Sequence, residues 1–379
     1  MVIVCARFRR RETELMKKKN VIILWILIAF LNIIAWLFPM FCDFYTSYIM
    51  PVWVNIYGRL MGVVPFSVGE WMIILAVLYV LSSLVMAIVW IFLRKHPKYN
   101  TFAKKYSNIF VSVFTIVCLI MTLNCTILYH CTPLYNDNSN KEYSIEELEK
   151  VRNHIVLQCN YYSERVERDE QGYVVYDGNI MQEAKQALHN ISYDYPKLKG
   201  YYPNIKPLAF SSLFSQAYTG GYYFPFSLEA NYNNKMYICN LPDTYCHEFA
   251  HLHGYIYEDE ANFLSFRACI ESKNDFFIYC GYLSVLNYVE NEYWSRVDFK
   301  EAFSRKLPIV NEKVIKDNIF LKEETWNSIE ENALFSTQTV HDISDGFMNG
   351  SLKMNGVKDG AESYRRVVAL LLHYYDGKL

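Results

Sequence analysis

The chain has 379 residues, 52% of them hydrophobic and 20% charged, with a formal net charge of −2. That balance leans toward a membrane part carrying one domain of ordinary size, and nothing in it points to nucleic acid as a partner. The ten cysteines show no C-x-x-C pair and no regular spacing, which argues against a zinc ribbon or a disulfide scaffold.

Residues 1–20 carry Arg7, Arg9, Arg10, Arg11, Lys17, Lys18 and Lys19. The set reads as a basic cytoplasmic tail that fixes topology, in preference to a signal-peptide n-region or a nuclear-type patch. Val21 to Leu37 is apolar except for Asn32 and is about long enough to span a bilayer; no A-x-A site follows, so the span is expected to remain uncleaved. Trp71 to Leu93 and Ile109 to Tyr129 are predicted as the second and third spans, making residues 21–130 a three-span region in contact with the lipid bilayer.

The loop of residues 41–70 has one basic residue, Arg59, whereas residues 94–108 have Arg94, Lys95, Lys98, Lys104 and Lys105 and no acid. The positive-inside rule therefore predicts a multi-pass cell-membrane protein with a cytoplasmic N-terminus and an extracytoplasmic domain over residues 131–379. Seven cysteines would then lie outside, an odd number, so at least one stays free or pairs between chains. The first loop is rich in aromatic side chains (Phe44, Tyr45, Tyr48, Trp53, Tyr57) and is expected to lie in the membrane interface or fold back into it. Glu70 reads as a structural charge at the mouth of the second span.

Residues 131–143 are polar and read as a linker. Ser144-Ile145-Glu146-Glu147 is a capping box that opens a helix to about Val166. A turn or short hairpin follows at 167–178, a helix at 179–191 and a loop at 193–207. Short strands are predicted near Leu208–Ser212, Gly221–Pro225 and Met236–Cys239.

The chemistry is concentrated in Cys246-His247-Glu248-Phe249-Ala250-His251-Leu252-His253-Gly254. In a helix, residues four apart share a face, so His247 and His251 can bind one zinc ion from adjacent turns. Glu248 is turned about 100° away, beside the metal, where it can take a proton from water. Gly254 suits a helix stop, and a second helix beginning near Tyr257 puts Glu258 on its first turn. Glu258 is predicted as the third ligand, with Asn262 one turn later as a residue that orients Glu258 or His247. Glu260 is the runner-up ligand from a different face. His253, near the opposite side of the helix, reads as structural or surface.

H-E-F-A-H followed by E-D-E-A-N-F resembles the gluzincin-type zinc peptidases, including HtpX-like membrane endopeptidases and ImmA/IrrE-like proteases. Their first glutamate in E-x-x-A-D or E-x-x-A-N is a metal ligand, which the resemblance places at Glu258. The fit to metzincins is poorer, because the last ligand position of H-E-x-x-H-x-x-G-x-x-H is Tyr257 here. The whole chain further resembles an uncharacterised family of bacterial three-span membrane proteins with a zincin-like external domain. The carrying segments are P-F-S-V-G-E (Pro65–Glu70), Y-F-P-F-S-L-E-A-N (Tyr223–Asn231), the helix pair, and D-G-A-E-S-Y (Asp359–Tyr364).

The resemblance implies an α-helical membrane part plus an α+β, mostly helical zincin-like metallopeptidase domain. It also implies an edge strand upstream of the metal helix that pairs with extended substrate, at Glu229-Ala230-Asn231; an ordinary hairpin turning at Gly220-Gly221 is the alternative. Beyond the motif, helices are predicted over Glu258–Ser272, Asp275–Trp294, 298–305, 309–318, 323–350 and 361–375. Tyr364, His341 and His373 are candidates to stabilise an oxyanion; the resemblance favours Tyr364, and His373 reads as a packed core histidine. The expected activity is hydrolysis of peptide bonds in extracytoplasmic proteins or peptides, with Zn2+ as cofactor and Glu248 as base. The rival is a membrane sensor or scaffold with a structural zinc site, its shell closed by Cys246 or Glu260.

Overall fold

Apolar runs of this length have one stable backbone solution in lipid, the helix, and among the described residues three helices are long and apolar enough to cross a membrane: Lys19–Leu37, Val68–Leu93 and Pro97–His130. The computed structural model describes residues 2–134, 142–298, 305–355 and 364–379, and divides them between two units. One unit is Met1–Tyr45 with Val68–Thr132; the other is Thr46–Ser67 with Pro133–Leu379.

In the first unit, helix α1 (Val2–Leu37) runs into α2 (Pro39–Phe44). Asn32, the one polar residue of the first predicted span, donates to the Ile28 carbonyl at 2.8 Å and to Thr122 Oγ1 at 2.9 Å, so its amide is not left unpaired among apolar neighbours. After α3 (Met50–Trp53) and α4 (Arg59–Gly62), which belong to the other unit, come α5 (Val68–Leu93) and α6 (Pro97–Met121). The Tyr106 hydroxyl lies 2.8 Å from both Ser82 Oγ and Ser83 Oγ, joining these two helices. The third span begins earlier than predicted because Pro97 starts the helix; Lys98, Lys104 and Lys105 ride on α6 instead of forming a loop.

The second unit opens with residues 46–67, which the sequence reads as a loop and the structure makes helical as far as Gly62: π turns at Tyr45–Ile49 and Val54–Gly58 flank α3, α4 follows, and residues 63–66 are turn and bend. Later come α7 (Ile145–Ser163) and α8 (Ile180–Asn190). The capping box is formed, with Ser144 Oγ accepting from Glu147 N at 3.2 Å and Glu147 Oε2 accepting from Ser144 N at 2.8 Å. Then follow β1 (Lys206–Pro207), α9 (Ser211–Gln216), β2 (Gly221–Phe224), β3 (Glu229–Tyr232), α10 (Leu241–Leu252), α11 (Glu258–Ile270) and α12 (Asp275–Arg296). α13 (Glu312–Asp317), α14 (Glu323–Glu331), α15 (Thr337–Met354) and α16 (Tyr364–Tyr375) end the chain. Phe249, Leu252, Phe266, Phe277 and Tyr279 are buried in the core.

Several predicted elements need correction. Residues 208–212 are not a strand: β1 ends at Pro207, and Ser211, whose Oγ donates to the Leu208 carbonyl at 2.7 Å, starts α9. Residues 236–239 are not a strand either, because the chain tightens into a 3-10 turn at Ile238–Asn240 before Pro242 opens α10. The single helix predicted over 323–350 is two, since Ser336 Oγ accepts from Thr339 N and caps a fresh start at α15. The helix predicted at 298–305 falls mostly outside the described residues.

The sheet has the order β1-β3-β2, with β1 parallel and β2 antiparallel to β3. Tyr222 faces Asn231 and Tyr223 faces Ala230 in the β2–β3 register, so the hairpin turns at residues 225–228 and Gly220-Gly221 lies at its start. β3 is therefore the central strand, with Glu229, Ala230 and Asn231 all buried, and the expected exposed substrate edge is not there. The outer strand nearest the motif helix is β2.

Candidate metal centre

Pro242 is well placed to start α10, since the first turn needs no N–H donor from it and its fixed φ is already helical. The helix ends at Leu252, and Gly254 takes φ +89°, the left-handed conformation predicted for a helix stop. The chain reverses and α11 begins at Glu258. Four-residue spacing then does what helix geometry requires: His247 and His251 stand one above the other, their ring centroids 4.5 Å apart and nearly perpendicular.

The turn between the helices brings the third group to them. Glu258 Oε2 lies 3.2 Å from His247 Nε2, and Glu258 Oε1 lies 3.6 Å from His251 Nε2. One donor atom from each of His247, His251 and Glu258 falls within 4.8 Å of the other two, so the trio can hold a metal ion. His251 Nδ1 sits 2.8 Å from the Tyr255 carbonyl, which can only accept; this places the proton on Nδ1 and turns the Nε2 lone pair toward the trio. Burial disfavours charge on His247, yet its bond to the Glu258 carboxylate and the charges of Glu248 and Asp243 push it up to about 9. Burial likewise opposes ionisation of Glu258, and the two histidines outweigh it, holding the carboxyl well below the usual carboxylate range.

Glu248 is buried beside this group, and its Oε2 has no hydrogen-bond partner. Its side chain packs under β2: a Cβ placed on Gly221 would fall on Oε1 and lie 2.7 Å from both Cδ and Cγ. Gly221 is therefore a close-approach glycine, which the sequence marks only as a strand start or a hairpin turn. Tyr223 of the same strand, to which the sequence analysis gives no role of its own, has its ring centroid 6.4 Å from that of His251.

The other predicted residues have different employment. Glu260 is buried and accepts from the Leu134 backbone N–H at 2.6 Å. Asn262 Nδ2 donates to the Tyr288 hydroxyl at 3.3 Å. Cys246 is buried with Sγ 3.8 Å from the Ala184 carbonyl, and neither it nor Glu260 belongs to the trio that could hold a metal ion. Glu229 pairs with Lys206 and accepts from Ser227 Oγ at 2.7 Å, and Asn231 Nδ2 donates to the Tyr222 carbonyl at 3.1 Å; both serve the sheet. His253 is structural, packed against Tyr202 with Nδ1 2.8 Å from the Lys197 carbonyl. His341 faces Asp345 at 3.5 Å and the Tyr218 ring, while His373 is exposed near the Tyr143 hydroxyl and is not the packed core histidine expected. Tyr364 is the first residue of α16, and its side chain lies outside the described residues.

A family model described as Protein of unknown function (DUF3810) matches residues 45–372. The chain belongs to this family. In this DUF3810 member the matched stretch runs from the segment before the second span into the last helix and takes in His247, Glu248, His251 and Glu258. No curated protein and no solved structure gives a significant match to the chain.

Proposed function

We propose that this DUF3810 member is a membrane-anchored, zinc-dependent peptidase that hydrolyses peptide bonds of extracytoplasmic proteins or peptides. The observation that carries the reading is the buried Glu248 carboxylate, with one oxygen unpartnered, beside a trio of convergent donors. A buried carboxylate oxygen without a partner costs stability, and a base that must meet water and substrate explains why it is left so.

Two imidazoles and one carboxylate are a donor set suited to zinc, with three protein ligands as in catalytic sites. Zinc supplies Lewis acidity there when bound. Glu248 takes the proton of the attacking water and returns it to the leaving amine. The Tyr255 carbonyl keeps His251 in the ligating tautomer. β2 takes the role first assigned to Glu229-Ala230-Asn231: it is an outer strand, Gly221 lies on Glu248, and an extended peptide added along it would cross the base. Tyr364 is the proposed donor to the oxyanion. The motif helix, the ligand helix after a glycine stop and the small mixed sheet support reading Pro133–Leu379 as zincin-like, and the charge bias of the flanking loops supports placing it outside the cell membrane. A scaffold with structural zinc would need a fourth protein donor, and the proposed candidates Cys246 and Glu260 are turned to other partners.

The test is metal content and peptide hydrolysis by the full chain in nanodiscs, beside Glu248→Gln. The reading expects equal zinc in both proteins and a turnover lower by roughly 10²–10⁴-fold in the variant. Equal turnover removes Glu248 as the base, and bound zinc with no turnover in either protein favours the scaffold.

A further inference from the structure

Residues 46–67 present two faces with the same spacing. Thr46, Met50, Val54 and Gly58 are buried, and Val52, Ile56 and Leu60, with Trp53 and Val63 beside them, are between 47% and 82% exposed. A stripe every fourth residue would wind around an ordinary α-helix at 3.6 residues per turn. Here each of the two π turns inserts an extra residue, the average turn widens to about four, and both stripes run straight.

The inner stripe is fastened to the metal-site unit. Thr46 and Met50 meet Gly254 at the end of α10, where an added Cβ would lie 3.2 Å from Thr46 and 3.4 Å from Met50 Sδ. Lys206 Nζ donates to the Met61 carbonyl at 2.8 Å, and the Tyr57 hydroxyl to the Phe226 carbonyl at 3.3 Å. The outer stripe carries no charge. Arg59 is the segment's one charged residue, and its Nε donates to Asn55 Oδ1 at 2.6 Å while its guanidinium lies 3.8 Å over the Tyr201 ring.

We propose that the Val52–Trp53–Ile56–Leu60–Val63 face lies in the lipid of the bilayer surface and holds the metal-site unit there. The occupant follows from continuity of the chain. The segment is preceded by the candidate span Lys19–Leu37 and followed directly by the candidate span Val68–Leu93. Consecutive spans cross in opposite directions, so both ends of the segment emerge at one membrane face, where an uncharged aromatic and aliphatic stripe is stabilised by acyl chains. The inner stripe touches Gly254, three residues beyond His251, so Gly254 is held about one helix diameter, roughly 10–12 Å, from lipid.

The test requires no catalysis, so it stands apart from the peptidase reading. A benzophenone amino acid is placed at position 52, 56 or 60 of the full chain in phosphatidylethanolamine–phosphatidylglycerol nanodiscs and irradiated. Position 193, where Tyr193 is 93% exposed in the same unit, is the aqueous control. Lipid adducts at 52, 56 and 60, at least tenfold over position 193, are expected by intact mass. Adducts joining two copies of the chain, or lipid adducts no more abundant at 56 and 60 than at 193, overturn the proposal.

Discussion

Gly221 is where a single atom decides most. Its missing Cβ leaves the space that Glu248 Oε1 occupies, so Gly221→Ala must push either β2 or the carboxylate aside. Ligand residues are untouched, and the expected result is zinc binding unchanged with kcat/KM lower by roughly 10²-fold, read by peptide hydrolysis and metal analysis. Glu229 is the opposite case. Replacing it with Ala leaves Lys206 buried without its counter-charge, and chemical denaturation is expected to show a loss of about 3–5 kcal/mol, largely recovered in a Lys206→Met, Glu229→Leu double variant. The convergence of His247 and His251 was legible in the sequence because helical spacing sets them on one face, and that of Glu258 because Gly254 marks the stop before its helix. Gly221, Tyr223 and the Tyr255 carbonyl were not, because each acts through a contact between elements that local pattern does not encode.

At the scale of elements, local chemistry predicted starts better than extents. The Ser144 capping box and the Gly254 stop are formed where the sequence sets them. Ser144→Ala is expected to cost about 1 kcal/mol in thermal denaturation, a value typical for a lost N-cap. Asp317 joins more distant elements: it accepts from Arg168 at 2.6 Å, Tyr279 at 2.7 Å and Tyr237 at 3.0 Å while itself buried. Asp317→Ala is expected to cost about 3–5 kcal/mol by chemical denaturation, because Arg168 loses its counter-charge. The misassigned strands share a cause. Residues 208–212 and 236–239 have apolar strand-like composition, but a helix begins at Ser211 and a 3-10 turn at Ile238–Asn240 leads into α10. The role given to Glu229-Ala230-Asn231 failed because strand order, central against outer, is a non-local property.

Across the whole molecule, the three spans were legible because a bilayer demands a minimum apolar length, which sequence displays directly. The helical state of residues 46–62 was not, since a four-residue period fits neither the α nor the β pattern until the π turns are seen. Coupling of the metal to stability is expected at this scale too. The proposed ligands come from two helices joined by one turn, so a chelator should lower the melting temperature of the full chain and zinc should restore it. Zinc at a hundredfold excess over its Kd would contribute about 2.7 kcal/mol. The central claim is that His247, His251 and Glu258 hold one ion, and X-ray absorption at the zinc edge of the loaded full chain tests it most directly. The account predicts nitrogen and oxygen neighbours at about 2.0–2.2 Å with an imidazole pattern and no sulfur shell. A sulfur neighbour at about 2.3 Å would contradict it, as would retention of the same imidazole signal in a His247→Ala, His251→Ala variant.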